Sequence, residues 1–210
     1  MRGMTDPLGL PPAAWSKADL SPDADFYRPR RLVAHIDEAA IAALTELYRE
    51  LLPEGGRVLD LMSSWISHLP PETAYAEVVG HGMNRAELQA NPRLDRWWVQ
   101  DLNGDPLLPL DSGTFDAALI TVSVQYLQRP VEVMAELRRV LKPEGRAVIS
   151  FSNRCFPTKA VAVWGALDER GRAGLVATCL KAGGFARVEA RRLRDGRTSD
   201  PMTAVVGWTA

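Results

Sequence analysis

Residues able to do chemistry gather at a few places in this chain. Asp60 is followed by Met62-Ser63-Ser64-Trp65-Ile66-Ser67-His68, a run mixing hydroxyls, an indole and an imidazole. Serine hydroxyls bond a carboxylate, and an aspartate meets an ammonium group. Gly82-Met83-Asn84 comes next, where the asparagine amide can both donate and accept. Asp101-Leu102 precedes Asn103-Gly104, and Ser123, Gln125 and Tyr126 share one short polar segment. Further on, Asn153 and Arg154 are suited to orienting a polar or anionic molecule. Upstream, Tyr27 and Arg31 lie in a basic stretch, Asp25 to Arg31. His35, His68 and His81 are the only histidines and have no metal-ligand spacing, so no metal site is expected. Cys155 and Cys179 make neither a disulfide framework nor a zinc site, and Cys155 reads as a small buried apolar residue. Such a set suits holding and orienting a ligand.

The elements that must position these groups follow from periodicity. Residues 1–30 hold Pro7, Pro11, Pro12, Pro22 and Pro29, which predicts an irregular leader, disordered or folded over a site. Apolar residues at three- and four-residue intervals predict a helix over 32–52. Short apolar runs predict strands at 57–62, 76–80, 97–100, 115–122 and 146–151. Helices are expected at 84–90, capped by Asn84, at 129–141, and over most of 158–182. Two last strands, 185–193 and 202–208, are expected to pair antiparallel. Strands alternating with helices indicate an α/β fold with a largely parallel sheet. The expected division is a leader or cap at 1–30 and one domain at 31–210.

Length and charge narrow the class. A chain of 210 residues suffices for one domain with a substantial core. A net charge of −1 favours neither nucleic acid nor membrane, and the arginines at 187, 191, 192, 194 and 197 divide between two strand faces. No apolar run reaches the ~18 residues of a membrane span, and residues 1–30 lack the apolar core of a signal peptide. A cytoplasmic protein is expected.

Three segments together carry a family likeness. Arg57-Val58-Leu59-Asp60-Leu61 looks like a first strand ending in Leu-Asp-Leu. Leu108-Pro109-Leu110-Asp111-Ser112-Gly113-Thr114-Phe115-Asp116 and Glu136-Leu137-Arg138-Arg139-Val140-Leu141-Lys142-Pro143-Glu144-Gly145 follow in order. The chain thereby resembles class I S-adenosylmethionine (SAM)-dependent methyltransferases of the type 11 kind. The resemblance implies a Rossmann-like seven-stranded sheet in the order 3-2-1-4-5-7-6 with flanking helices. SAM would lie at the carboxyl ends of strands 1 to 3, as expected at a topological switch point. It also implies that Asp101 bonds the adenine amino group and the Leu102 N–H faces the ring. The other reading of Asp101 is a cap on the turn before Asn103-Gly104. Ser123 and Tyr126 would pass near the methyl group, although Tyr126 could equally pack on the next helix. Tyr27, Tyr126, Asn153 and Arg154 are the candidates for touching a small-molecule acceptor.

The likeness breaks at one end of that site. Family members follow strand 1 with Gly-x-Gly-x-Gly, and here Met62, Ser64 and Ile66 stand at the glycine positions. A β-branched isoleucine resists positive φ, so the loop is expected to take another path. Pro70-Pro71 limits any following helix to about one turn. Gly82 occupies the place of the acidic residue that holds the ribose, leaving Asn84 or His81 as replacements. Asp60, Ser63 and Ser64 would cradle the methionine end, and Gly82, Met83 and Asn84 would lie beside the ribose. The leading expectation is SAM-dependent methyl transfer to a small molecule. The alternative is a catalytically silent member binding a nucleotide-like ligand or a protein.

Overall fold

A computed structural model describes residues 7–210; the first six residues of the expected leader lie outside the described residues. Seven strands form one sheet: β1 (Arg57–Leu61), β2 (Glu77–Gly82), β3 (Arg96–Val99), β4 (Phe115–Thr121), β5 (Leu141–Phe151), β6 (Arg187–Arg194) and β7 (Met202–Trp208). Their order is β3-β2-β1-β4-β5-β7-β6. The first five run parallel, while β7 lies antiparallel to both β5 and β6. This is the strand order that the resemblance implies.

Side-chain alternation along the central strands builds two cores. Leu59, Leu61, Ala118 and Ile120 enter one, and Val58, Ala117 and Leu119 the other. Both faces of a parallel sheet are covered, so these strands read as continuous apolar runs. On the first face, α4 (Pro130–Val140), α5 (Ala162–Ala166) and α6 (Glu169–Ala182) contribute Leu137, Trp164 and Leu180. On the second, α2 (Glu38–Leu51) contributes Ala40, Leu44, Leu47 and Tyr48.

The helix expected from residue 32 begins only at Glu38. Asp37 ends the extended chain before it and accepts from the Ala40 N–H at 2.8 Å as N-cap. Asp37 and Asp200 then exchange backbone N–H to carboxylate bonds, at 3.0 and 2.6 Å. The cap satisfies a helix N–H that otherwise lacks a partner, so it fixes the boundary. Residues 32–36 are thereby released from the helix. β2 runs two residues beyond its expected end, which puts His81 and Gly82 on the strand. Strand β5 begins at Leu141 rather than at the expected residue 146, with an irregularity over 142–145 in its register with β4. No helix follows β1. Residues 62–76 form a connector of loops and turns, as Pro70-Pro71 requires.

The described part of the leader follows a defined path. It pairs at Lys17 with Val161, turns through α1 (Asp23–Phe26), and crosses toward α3 (Arg85–Ala90). No helix among the described residues is long and apolar enough to cross a membrane.

Candidate functional site

A cleft of ≈ 1180 Å³, counting space open to solvent, lies at the carboxyl ends of β1 to β4. All ten residues expected to meet a cofactor line it: Asp60, Met62, Ser63, Ser64, Gly82, Met83, Asn84, Asp101, Leu102 and Ser123. Tyr27, Tyr126 and Arg154 line it too. Asn153 does not: it is exposed, and its amide oxygen accepts from the Ser152 hydroxyl at 3.3 Å.

The loop after β1 keeps one property of the glycines it lacks. Met62 has φ 56, so the first turn retains its left-handed residue without glycine. His68 at φ 55 and Val122 at φ 47 do the same, and all three line the cleft. Such conformations are strained for residues with side chains and persist only where neighbours hold them. The holding bonds are visible. His81 Nδ1 accepts from the Met62 N–H at 3.1 Å, and its carbonyl accepts from the Ser63 N–H at 2.6 Å. The Thr45 hydroxyl donates to the His68 carbonyl at 2.9 Å, and the Val122 N–H donates to the Ser150 carbonyl at 2.8 Å.

Gly82 explains why no acidic residue ends β2. A Cβ there would stand 2.5 Å from the Ser63 carbonyl oxygen. The close backbone approach that family members achieve with glycines in the loop is achieved here with a glycine in the facing strand.

Both suggested replacements for the ribose carboxylate are already engaged. His81 is buried, its second ring nitrogen lies 3.0 Å from the Gln100 carbonyl, and burial lowers its pKa to about 4. Asn84 accepts from Ala86 and Glu87 as the α3 cap, and its amide donates to the Tyr27 and Arg28 carbonyls at 2.9 and 3.1 Å. Each is a brace rather than a free ligand group. Glu87, which sequence reasoning missed, faces the cleft from α3. It accepts from the Arg31 N–H and the Ser64 hydroxyl, both at 2.6 Å. Asn91 donates to the Ser64 carbonyl and the Ser67 hydroxyl, both at 2.9 Å. Thus α3 fastens both the loop and the leader.

Asp60 is buried and accepts from the Ser63 hydroxyl at 2.6 Å; burial raises its carboxyl to about 6, against smaller lowering by Ser63 and Ser67. Asp101 has the turn-capping position, one of its two expected readings, and also borders the cleft. Its Oδ1 accepts from the Asn103 N–H at 2.9 Å, capping the turn, while the residue lines the cleft. The Tyr27 hydroxyl and Ser123 Oγ are buried without a partner. Burial pushes the Tyr27 phenol well above its ordinary value, so it stays protonated. The Tyr126 hydroxyl accepts from the Phe156 N–H at 2.8 Å. Cys155 is half-buried against the core, with its thiol raised by burial.

The leader closes the cleft from above. Phe26 packs on Tyr27 and Phe156 at 5.0 and 5.2 Å between ring centres. Lys159, fully buried, donates to the Ser21 carbonyl at 2.6 Å and lies 3.3 Å from the Asp23 carboxylate, which Lys17 also meets. Removing one partner of a buried pair costs about 3–5 kcal/mol. Lys159→Met is therefore expected to loosen the leader, and limited trypsin digestion should cut faster at Arg30 and Arg31. Away from the cleft, three of the β6 arginines meet acidic side chains or a ring: Arg191 meets Glu50 and Glu189, Arg192 meets Glu169, and Arg187 lies 3.6 Å from the Trp208 ring centre.

Comparison with known proteins agrees with this architecture. Residues 63–149 match the family model described as a methyltransferase domain. No curated protein matches the sequence. Among solved structures, an S-adenosylmethionine-dependent methyltransferase from Mesorhizobium loti is 17% identical, with TM-score 0.56 over 79% of this chain and 97% of that one. A SAM-dependent methyltransferase from Aquifex aeolicus is also 17% identical, with TM-score 0.59 over 82% and 92%. The [4+2]-cyclase SpnF is 16% identical, with TM-score 0.59 over 79% and 80%. The fold is that of the class I SAM-dependent methyltransferases. The central part of the chain, residues 63–149, is similar to a methyltransferase domain.

Proposed function

We propose that the cleft binds SAM and that the protein transfers its methyl group to a small molecule. One observation carries the reading: the cleft lies where this fold places its cofactor, and every residue expected to meet SAM lines it, although the glycine loop is rewritten. The donor set fits. Asp101 and Leu102 would take the adenine. Asp60 and Ser63 would meet the ammonium end. The unpartnered Tyr27 and Ser123 hydroxyls are available to the methionine carboxylate or the acceptor. Gly82 and Met83 would flank the ribose without the usual carboxylate.

SAM when bound supplies a methyl group on a positive sulfonium. The residues here exclude water beneath the leader and hold the acceptor in line, which is most of what such a transfer requires. The described part of the leader, residues 7–30, would act as a cap on the domain at 31–210. A methyltransferase fold also occurs in a cyclase, so fold alone does not decide the activity. Isothermal titration of SAM and S-adenosylhomocysteine into the full chain is the test. Binding is expected below about millimolar concentration, the weakest affinity worth counting as specific here. Asp101→Ala should weaken SAM by about 1–3 kcal/mol through loss of a buried polar contact. An unchanged affinity would remove Asp101 from the adenine.

A further inference from the structure

The leader side of the cleft differs in character from the strand ends. Its walls are Val33, His35, Trp65, Ile66, His68 and Phe156. Trp65 commits its indole N–H to the Val33 carbonyl at 3.1 Å, which ties the loop to the leader and leaves the ring's apolar body as wall. His35 stands edge-on to Phe156, ring centres 5.6 Å apart. His68 is only 9% exposed, yet its Nδ1 has no hydrogen-bond partner, although the strained backbone beneath it is held by Thr45. A buried polar atom without a partner costs about 1–3 kcal/mol, so one that persists calls for an explanation.

The two arginines that line the cleft are already engaged in part. Arg31 donates to the Phe26 and Pro29 carbonyls and lies over the Phe26 and Phe156 rings at 4.8 and 5.3 Å. Arg154 reaches Asp200 through Nε at 2.8 Å and is largely exposed at the rim. No lysine lines the cleft. Burial lowers the pKa of His35, and lowers that of His68 to about 4 with His35 adding to the effect, so both rings are neutral near pH 7. Among the described residues, a phosphate or carboxylate would meet only Arg31, which already bonds two carbonyls, and Arg154 at the exposed rim, where Asp200 offsets its charge, and it would face Asp60, Glu87 and Asp101.

We propose that this part of the cleft is the acceptor subsite. Its acceptor is a neutral, flat, largely apolar molecule bearing one hydroxyl-like group that bonds His68. The proposal rests on the reading of the cleft as a SAM site. A hydroxyl both donates and accepts, so it serves either tautomer of the neutral imidazole.

Three probes of one ring shape test it on the full chain loaded with S-adenosylhomocysteine: 2-naphthol, 2-methylnaphthalene and 2-naphthoate. By calorimetry, 2-naphthol is expected to bind about tenfold more tightly than either of the others, the value of one buried hydrogen bond. In His68→Phe that preference over 2-methylnaphthalene should vanish. Should this variant fail to fold, His68→Asn accepts the left-handed backbone and, being shorter, is expected to reduce 2-naphthol binding about fivefold. Equal binding of 2-naphthol and 2-methylnaphthalene overturns the proposal. So does binding of 2-naphthoate as tight as 2-naphthol, or failure of all three probes. If S-adenosylhomocysteine itself does not bind, the cofactor reading falls, and the same comparison on the unloaded protein still judges the subsite.

Discussion

Gly82→Asp is expected to abolish SAM binding and to destabilise the fold, although it restores the residue type that family members carry at this place. The new Cβ would stand 2.5 Å from the Ser63 carbonyl oxygen and 3.2 Å from the Leu88 side chain. The Ser63 contact is with backbone, so the loop must move. Movement breaks the bond from the Ser63 N–H to the His81 carbonyl and disturbs the Met62 turn, which hangs on the same histidine. Overpacking of this kind costs about 1–3 kcal/mol, and the aspartate would set a carboxylate against a carbonyl. Gly82→Ala tests the steric part alone and is expected to weaken SAM by about tenfold, as one misplaced polar contact would. Calorimetry with SAM and the Tm of each variant are the measurements. A Gly82→Asp protein that binds SAM within about twofold of the unaltered chain would show that the loop in solution takes another path.

His81→Leu has the second large expected effect. The ring joins the end of β2 to the loop at Met62 and to the Gln100 carbonyl after β3, and it is almost fully buried. Leucine fills much of the volume but leaves the Met62 N–H unpaired, at a cost of about 3 kcal/mol once the lost bonds are included. The pH dependence changes as well. His81 has a native pKa of about 4 against an ordinary 6.5, because burial disfavours its charged form. Between those values the unfolded chain binds a proton that the native ring refuses. Its stability contribution is therefore complete above pH 6.5 and is lost as the pH falls through about 4. His68 acts in the same direction over the same window. Asp60, raised to about 6, acts in the opposite one: its contribution is present below 3.8 and is lost as the pH rises through 6. Two histidines outweigh one carboxyl, so the unaltered protein should lose stability from pH 6.5 to 5. In His81→Leu that slope should fall to about half or less. Urea unfolding at pH 5.0, 5.8 and 6.5 measures it, and an unchanged slope would mean that His81 is not held neutral.

Much of the fold was readable because the apolar runs at β1, β4 and β5 serve two cores and tolerate little else. Asn84 was legible as a cap because its type and its place before a short amphipathic run agree. The start of α2 was not: Leu32 and Ile36 continue the helical spacing, and only the Asp37–Asp200 exchange, 163 residues apart, shows where the helix begins. The cleft's membership could be read from the family layout. How the loop survives without glycines could not. The compensation lies in Gly82, His81 and Glu87, which belong to other elements and become neighbours of the loop only when β2 pairs with β1. Glu87 carried one usable signal, a carboxylate three residues after a capping asparagine. Asn153 was placed by adjacency to Arg154, and adjacent residues leaving a strand point to opposite sides.

The leader also sets a tempo. Lys159 holds it at Ser21 and Asp23, and Asn84 with Glu87 holds it at Tyr27, Arg28 and Arg31. Were a ligand lodged beneath, opening either of these two fastenings would widen its way out. Residence time would then depend on the strap as well as on the contacts below it, and a weakly held ligand would still be expected to leave slowly.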